Sequence, residues 1–250
     1  MQSTIVRSIP AFKFRTNEEI KRLRTNLQLC GDVQVFSITS CLPNDGKTTV
    51  SFSLAISLSE LGQDVLYVNC DLRNTSDLLE RYGIVGTKNG MTEYLSGLIT
   101  MDEAIGRTNL DNLYIITAGH VAPNPAELLN GRRFREFVEY TRSRFTFVVI
   151  DTPPLGTVVD ASLVARECDG TVLVVPSKTH SYKLVREIIN DLKSTGTRFL
   201  GVILNKVDLN DKQSYGYYGK YYGKYYGKRY GKYYGDYYGE EEAPTQKKKR

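Results

Sequence analysis

The stretch that decides the fold runs from Val33 to Gly62 and reads VQVFSITSCLPNDGKTTVSFSLAISLSELG. Its start, Val33–Thr39, is rich in apolar and β-branched residues, as a strand covered on both faces must be. Lys47–Leu61 then carries Phe52, Leu54, Ala55, Leu58 and Leu61 at helical spacing, and Gly62 stops the run. Between the two lies Ser40–Thr49, a turn holding Pro43, Asn44, Asp45 and Gly46. A strand feeding a tight turn and then a helix gathers backbone N–H groups and a helix N-terminus at one point, which is an anion-binding geometry.

Outward from this unit the alternation continues. Asp64–Cys70, Asn112–Thr117, Phe145–Ile150, Gly170–Val175 and Phe199–Leu204 read as strands. Pro125–Arg144, Asp160–Glu167 and Ser181–Thr195 read as helices. Such a pattern predicts an α/β fold of the P-loop NTPase kind, a mostly parallel β-sheet with helices on both faces and a disordered C-terminal tail. Three regions are expected: 1–32, an N-terminal segment with the charged helix Asn17–Leu29; 33–210, the main domain; and 211–250, the tail.

Ligands of such sheets bind beyond the carboxyl ends of the strands. In the turn, Pro43, Asn44, Asp45, Gly46, Lys47, Thr48 and Thr49 form the expected phosphate loop. Lys47 is placed to span the outer phosphates of ATP and the Thr48 hydroxyl to ligate Mg²⁺. Cys41 stands where the first glycine of such a loop usually falls, and Asn44 where another often does; asparagine tolerates positive φ. Phe147–Asp151 (FVVID) is an apolar strand ending on a carboxylate aimed at Mg²⁺ or its waters. Asp71 and Arg73 follow the second strand. Asn205 ends the last one, either to hydrogen-bond an adenine edge or to cap the backbone.

Composition limits the alternatives. The chain has 250 residues and a net charge of +5. Residues 214–250 hold 9 basic and 4 acidic side chains, leaving 24 of each in 1–213, so the excess belongs to the tail. The body therefore has no general attraction for nucleic acid or anionic lipid. Four scattered cysteines without a CxxC pair suit a reducing compartment and signal no zinc site. Neither a signal peptide nor a ~20-residue apolar span is legible, which places the chain in the cytoplasm.

The tail is a repeat of Tyr-Tyr-Gly-Lys. Twelve of the eighteen tyrosines fall in it: Tyr215, Tyr217, Tyr218, Tyr221, Tyr222, Tyr225, Tyr226, Tyr230, Tyr233, Tyr234, Tyr237 and Tyr238. Glycine at every third or fourth place and no aliphatic residue argue against a packed element. Interleaved aromatics and lysines also suit single-stranded nucleic acid or self-association, but next to a nucleotide-type loop neither is expected.

Together these residues resemble the bacterial tyrosine kinases of capsule and exopolysaccharide synthesis, most closely the stand-alone cytoplasmic type of Gram-positive bacteria. The resemblance spans roughly residues 17 to 240. The family's second acidic motif, Asp-x-Asp-x-Arg, here reads Asn69-Cys70-Asp71-Leu72-Arg73. Its Glu-x-x-Arg-x-x-Arg ring-packing helix here reads Glu18, Lys21 and Arg24, and Asn124–Leu129 (NPAELL) also looks like a family segment. The resemblance implies an ATP- and Mg²⁺-dependent protein-tyrosine kinase that phosphorylates its own C-terminal tyrosines in trans within a homo-oligomeric ring. It implies Lys47, Asp71, Asp151 and Arg73 as catalytic residues and Thr48, Asp71 and Asp151 around the metal. Asp71 would accept the phenolic proton; Arg73 would neutralise charge, brace the loop or form a structural ion pair. A transmembrane activator or polysaccharide co-polymerase that recruits the chain to the inner face of the membrane, and an opposing phosphotyrosine phosphatase, are the implied partners.

Two departures stand out. Asn69 replaces an aspartate, and an amide neither takes a proton nor gives a charged metal contact. Lys21 replaces an arginine and loses its bidentate fork. Two other readings remain open: a ParA/MinD-like P-loop ATPase, whose signature lysine would fall at Leu42, and a nucleotide-binding scaffold with little or no kinase activity. A disordered tail of ~25 residues has an end-to-end distance of about 25–30 Å, enough to reach a neighbouring subunit.

Overall fold

The computed structural model describes residues 1–87 and 89–208. Among these residues eight strands form one sheet: β1 (Gln2–Ser3), β2 (Val35–Ser40), β3 (Val65–Asn69), β4 (Gly106–Arg107), β5 (Leu113–Ile116), β6 (Phe147–Asp151), β7 (Gly170–Pro176) and β8 (Phe199–Asn205). Their order is β1-β4-β5-β3-β6-β2-β7-β8. Every neighbouring pair is parallel except β4 and β5.

The central strands are buried residue by residue, and alternate side chains enter opposite cores. Phe36, Ile38, Val65, Tyr67, Phe147 and Val149 pack on one face with Phe52, Leu54 and Leu58 of α2 (Lys47–Ser59). Val35, Leu66, Val68, Val148 and Ile150 pack on the other with Phe134, Phe137 and Val138 of α7 (Arg132–Arg142) and Val164 of α8 (Asp160–Arg166). Continuously apolar strands are the sequence form of this two-sided burial.

Three features differ from the sequence expectation. The segment expected as one helix over 125–144 is two, α6 (Pro125–Leu129) and α7, because Gly131 is extended (ψ 166°) at the N-cap of α7 and glycine is a poor helix former. The helix expected at Asn17–Leu29 starts earlier, as α1 (Phe14–Gln28). Residues 1–32 are not only a prelude to the first strand: Gln2–Ser3 pair with Gly106–Arg107 at the sheet edge. Between β3 and β5 lie α3 (Asp77–Tyr82), α4 (Met91–Leu95) and α5 (Met101–Ala104), elements too short to show periodicity. A last helix, α9 (Tyr182–Ser194), joins β7 to β8.

Residues Met1–Asn205 make one compact unit. No helix among the described residues is long and apolar enough to cross a membrane. The twelve tail tyrosines lie outside the described residues.

Candidate functional site

The turn between β2 and α2 is built by local chemistry. Asp45 Oδ2 accepts the Leu42 N–H at 2.8 Å, and the Ser40 hydroxyl donates to the Leu42 carbonyl at 3.0 Å. Asn44 adopts φ 66° and Gly46 φ 95°, both left-handed. Gly46 is required twice over: a Cβ there would be strained and would collide with Asn205 Nδ2. Because α2 begins at Lys47, the amides of its first turn have no acceptor within the helix. Cys41, in place of the usual glycine, is fully buried, and burial, then the nearby Asp45 charge, pushes its thiol up to about 11. It is therefore inert packing.

Beside the turn, the carboxyl ends of β2, β3 and β6 bring Lys47, Thr48, Asp71 and Asp151 together. Register sets this meeting, since Ile38 lies opposite Asp151 and Asp151 opposite Asn69. Lys47 Nζ is 3.2 Å from Asp71 Oδ2 and 3.8 Å from Asp151 Oδ2. The Thr48 hydroxyl donates to Asp151 Oδ2 at 2.7 Å, and the buried Tyr67 hydroxyl donates to the same oxygen at 3.3 Å. Among the described residues, Asp151 Oδ1 is buried with no hydrogen-bond partner. Burial raises the Asp151 carboxyl, although Lys47 opposes the shift. Burial alone would lower the Lys47 ammonium, but Asp151 and Asp71 outweigh it and hold its pKa above the ordinary value.

Two carboxylates face one ammonium here, and a buried carboxylate oxygen rarely goes unpartnered without a reason. The donor set of one hydroxyl and two carboxylates is all oxygen, the chemistry of Mg²⁺. The orphaned Asp151 Oδ1 fits that group. Asn69, Asn74, Asp77 and Leu78 complete the lining of the cleft. Asn69 spends its Oδ1 on the Asp71 N–H at 2.9 Å, so it shapes the turn that presents Asp71.

The remaining sequence candidates lie as follows. Arg73 makes a bidentate pair with Asp160, 2.8 and 3.1 Å, whose carboxylate is fully buried. Asn205 Nδ2 donates to the Asp45 carbonyl at 2.9 Å, the backbone-capping alternative. Pro43 and Thr49 flank the loop, and the Thr49 hydroxyl accepts from Arg81 at 3.4 Å. On α1, Glu18 and Lys21 pair with each other at 2.8 Å on the surface. Arg24 instead turns inward and donates to the Ser57 carbonyl near the end of α2 at 2.7 Å. Sequence reasoning missed Tyr67, Asp160, Asp77 and His180. None sits in a recognisable spacing; only the fold brings them to the loop or its neighbours.

A mostly parallel sheet, a loop with two left-handed residues and an acid-flanked lysine at its carboxyl edge define a domain of the P-loop nucleotide-binding kind. Residues 37–201 match the family model described as an AAA domain. The chain is 38% identical to the tyrosine-protein kinase CpsD of Streptococcus pneumoniae serotype 4 over 200 residues, covering 78% of this chain and 86% of that one. The tyrosine-protein kinase YwqD of Bacillus subtilis is 32% identical over 214 residues, covering 83% and 88%. Among solved structures, the kinase domain of the Escherichia coli tyrosine kinase ETK superposes with a TM-score of 0.73 at 31% identity, covering 78% of this chain and 77% of that one. The chain belongs to the family of bacterial tyrosine-protein kinases.

Proposed function

We propose that this chain is an ATP- and Mg²⁺-dependent kinase whose acceptors are the tyrosines of its own C-terminal cluster, modified in trans. The observation that carries this reading is the meeting of Lys47, Thr48, Asp71 and Asp151 around an unpartnered carboxylate oxygen at the mouth of the phosphate loop.

Phosphoryl transfer asks a protein chiefly for positioning and charge stabilisation. The loop amides and the α2 N-terminus hold the β- and γ-phosphates, and Lys47 reaches the charge that grows between them. Thr48, Asp151 and Asp71 would hold Mg²⁺ or its waters, and the ion when bound neutralises phosphate charge. Asp71, 3.2 Å from Lys47, accepts the phenolic proton. A phenol with a pKa near ~10 is protonated at neutral pH and needs such an acceptor. Arg73, held by Asp160, fixes the turn that carries Asp71.

In this reading residues 1–32 supply the subunit contact through Glu18 and Lys21, 33–210 the catalytic domain and 211–250 the acceptor. Arg24, already spent on α2, supports α1 from inside. Each phosphate adds about −1.5 to −2 charge, so roughly three cancel the tail's excess and more reverse it. That change of sign loosens the ring. The setting is capsular or exopolysaccharide synthesis at the inner face of the membrane, with a transmembrane activator and a phosphotyrosine phosphatase as partners.

Incubation of the purified protein with ATP, with and without Mg²⁺, followed by mass-spectrometric mapping, tests the reading. Phosphate on Tyr215–Tyr238 only when Mg²⁺ is present is the expected result. Mixing Lys47→Met protein with protein truncated after residue 210 tests the trans route. Labelling of the full-length partner supports it, and an unlabelled mixture excludes it.

A further inference from the structure

Asp45 is an odd residue to bury in a loop that receives phosphates. Its carboxylate is almost wholly enclosed, with a side-chain exposure of 4%, and would repel an incoming anion unless held and balanced. Three groups from outside the helix hold it. Leu42 N–H donates to Oδ2. His180, itself 7% exposed and set in the turn between β7 and α9, approaches Oδ1 at 2.8 Å and Oδ2 at 3.0 Å through Nε2. Asn205, at the end of β8, grips the Asp45 carbonyl. A carboxylate only accepts, so His180 Nε2 carries the proton and donates.

We infer that His180 is a positioning residue for nucleotide binding, a latch that fixes the phosphate loop through Asp45. This rests on the nucleotide-site reading above. The loop has no glycine at position 41 and keeps two consecutive-turn residues, Asn44 and Gly46, in left-handed conformations. Asparagine and glycine reach αL at little cost but also populate other conformations, so the neighbours decide which one the loop keeps. Asp45 lies between those two residues, and His180 and Asn205 clamp its side chain and its main chain from two neighbouring strand ends. Through them the edge of the sheet formed by β7 and β8 sets the position of the amides that meet phosphate. A loop held before the ligand arrives binds without a further ordering cost. The latch therefore acts on nucleotide affinity, not on the transfer step.

Equilibrium binding of a fluorescent ATP analogue with Mg²⁺ to the full chain tests this. Loss of a hydrogen bond to a charged group predicts about tenfold weaker binding for His180→Ala and for Asp45→Ala. The double variant should be no weaker than Asp45→Ala alone, because His180 acts only through Asp45, whose loss also frees the Leu42 N–H. His180→Gln keeps a donor near the Nε2 position and should bind nearly as the parent does. His180→Asn, one methylene shorter, should behave as His180→Ala. At saturating ATP, His180→Ala should phosphorylate within about twofold of the parent rate, a change in KM without one in kcat. Lys183→Ala, on the exposed start of α9, is the control.

Additive losses in the double variant, equal binding by His180→Gln and His180→Asn, or unchanged binding by His180→Ala would each overturn the latch while leaving the site in place. Failure of the parent protein to bind, or equal binding by Lys47→Ala, would remove the site itself and the latch with it.

Discussion

The two ends of the sheet each carry a buried or half-buried acid beside a base, and they are built to opposite rules. At the amino ends of the strands Asp169 accepts from Gln34 N–H, Val35 N–H and both terminal nitrogens of Arg142, at 2.7–2.9 Å. The Gln34 amide in turn donates to the Arg142 and Phe145 carbonyls, each at 2.7 Å. Every partner there is supplied by the chain. At the carboxyl ends, Asp151 keeps one oxygen unpartnered among the described residues, and two carboxylates share one lysine. The larger cleft, about 620 Å³, is at the amino end. Size and polar satisfaction therefore point to opposite ends: the network at the amino end is complete, and the one at the end proposed to bind nucleotide is not.

Four experiments press on that contrast. The largest effect belongs to Lys47→Met, which should lower tail phosphorylation 10²–10³-fold, about 3–4 kcal/mol of transition-state stabilisation. A phosphotyrosine blot, normalised to folded protein, reads it. Asp151→Asn should cost about 10² in the same assay and yet melt no lower than the parent, because it removes a carboxyl that burial disfavours in its charged form. A fall of several degrees would show that Asp151 belongs to the structural class after all.

Asp169→Asn should do the reverse. It leaves Arg142 without its counter-charge, and urea titration should show a loss of about 2–3 kcal/mol. The phosphorylation rate per folded molecule should stay the same. The smallest effect is a pH dependence. Burial would raise the Asp169 carboxyl, but Arg142 and the Val35 and Gln34 amides hold it below its ordinary value. Its stabilisation is whole above the unfolded carboxylate pKa near ~3.9 and drains away as pH falls through the lower folded value. The gap in stability between the parent and Asp169→Asn should narrow over that acid range. A gap that is constant to the lowest pH would deny the ion pair its role.

How far the sequence foretold this follows from periodicity. Val35–Ser40, Val65–Asn69 and Phe147–Asp151 were legible as two-sided strands because burial on both faces leaves an unbroken apolar run. The turn between β2 and α2 was legible because its residues are contiguous. The sequence also implied Asp71 and Asp151 as strand-end acids, and the fold brings both to Lys47. Gln2–Ser3 and Gly106–Arg107 were not legible, since two residues cannot show alternation. His180 and Asp160 were hidden for another reason: each meets its partner across 135 and 87 residues of chain, a proximity created by strand order and not by any local pattern.

That strand order has a consequence during synthesis. β6 lies between β3 and β2, so these two strands are never neighbours and join one sheet only when a strand made some eighty residues later slots between them. At a translation rate of roughly 5–20 residues per second, the nascent chain waits several seconds with the apolar edges of β2 and β3 uncovered. A ribosome stalled before Phe147 would hold a polypeptide with the full sequence of the turn but without Asp151, the carboxylate that meets Thr48 and Lys47.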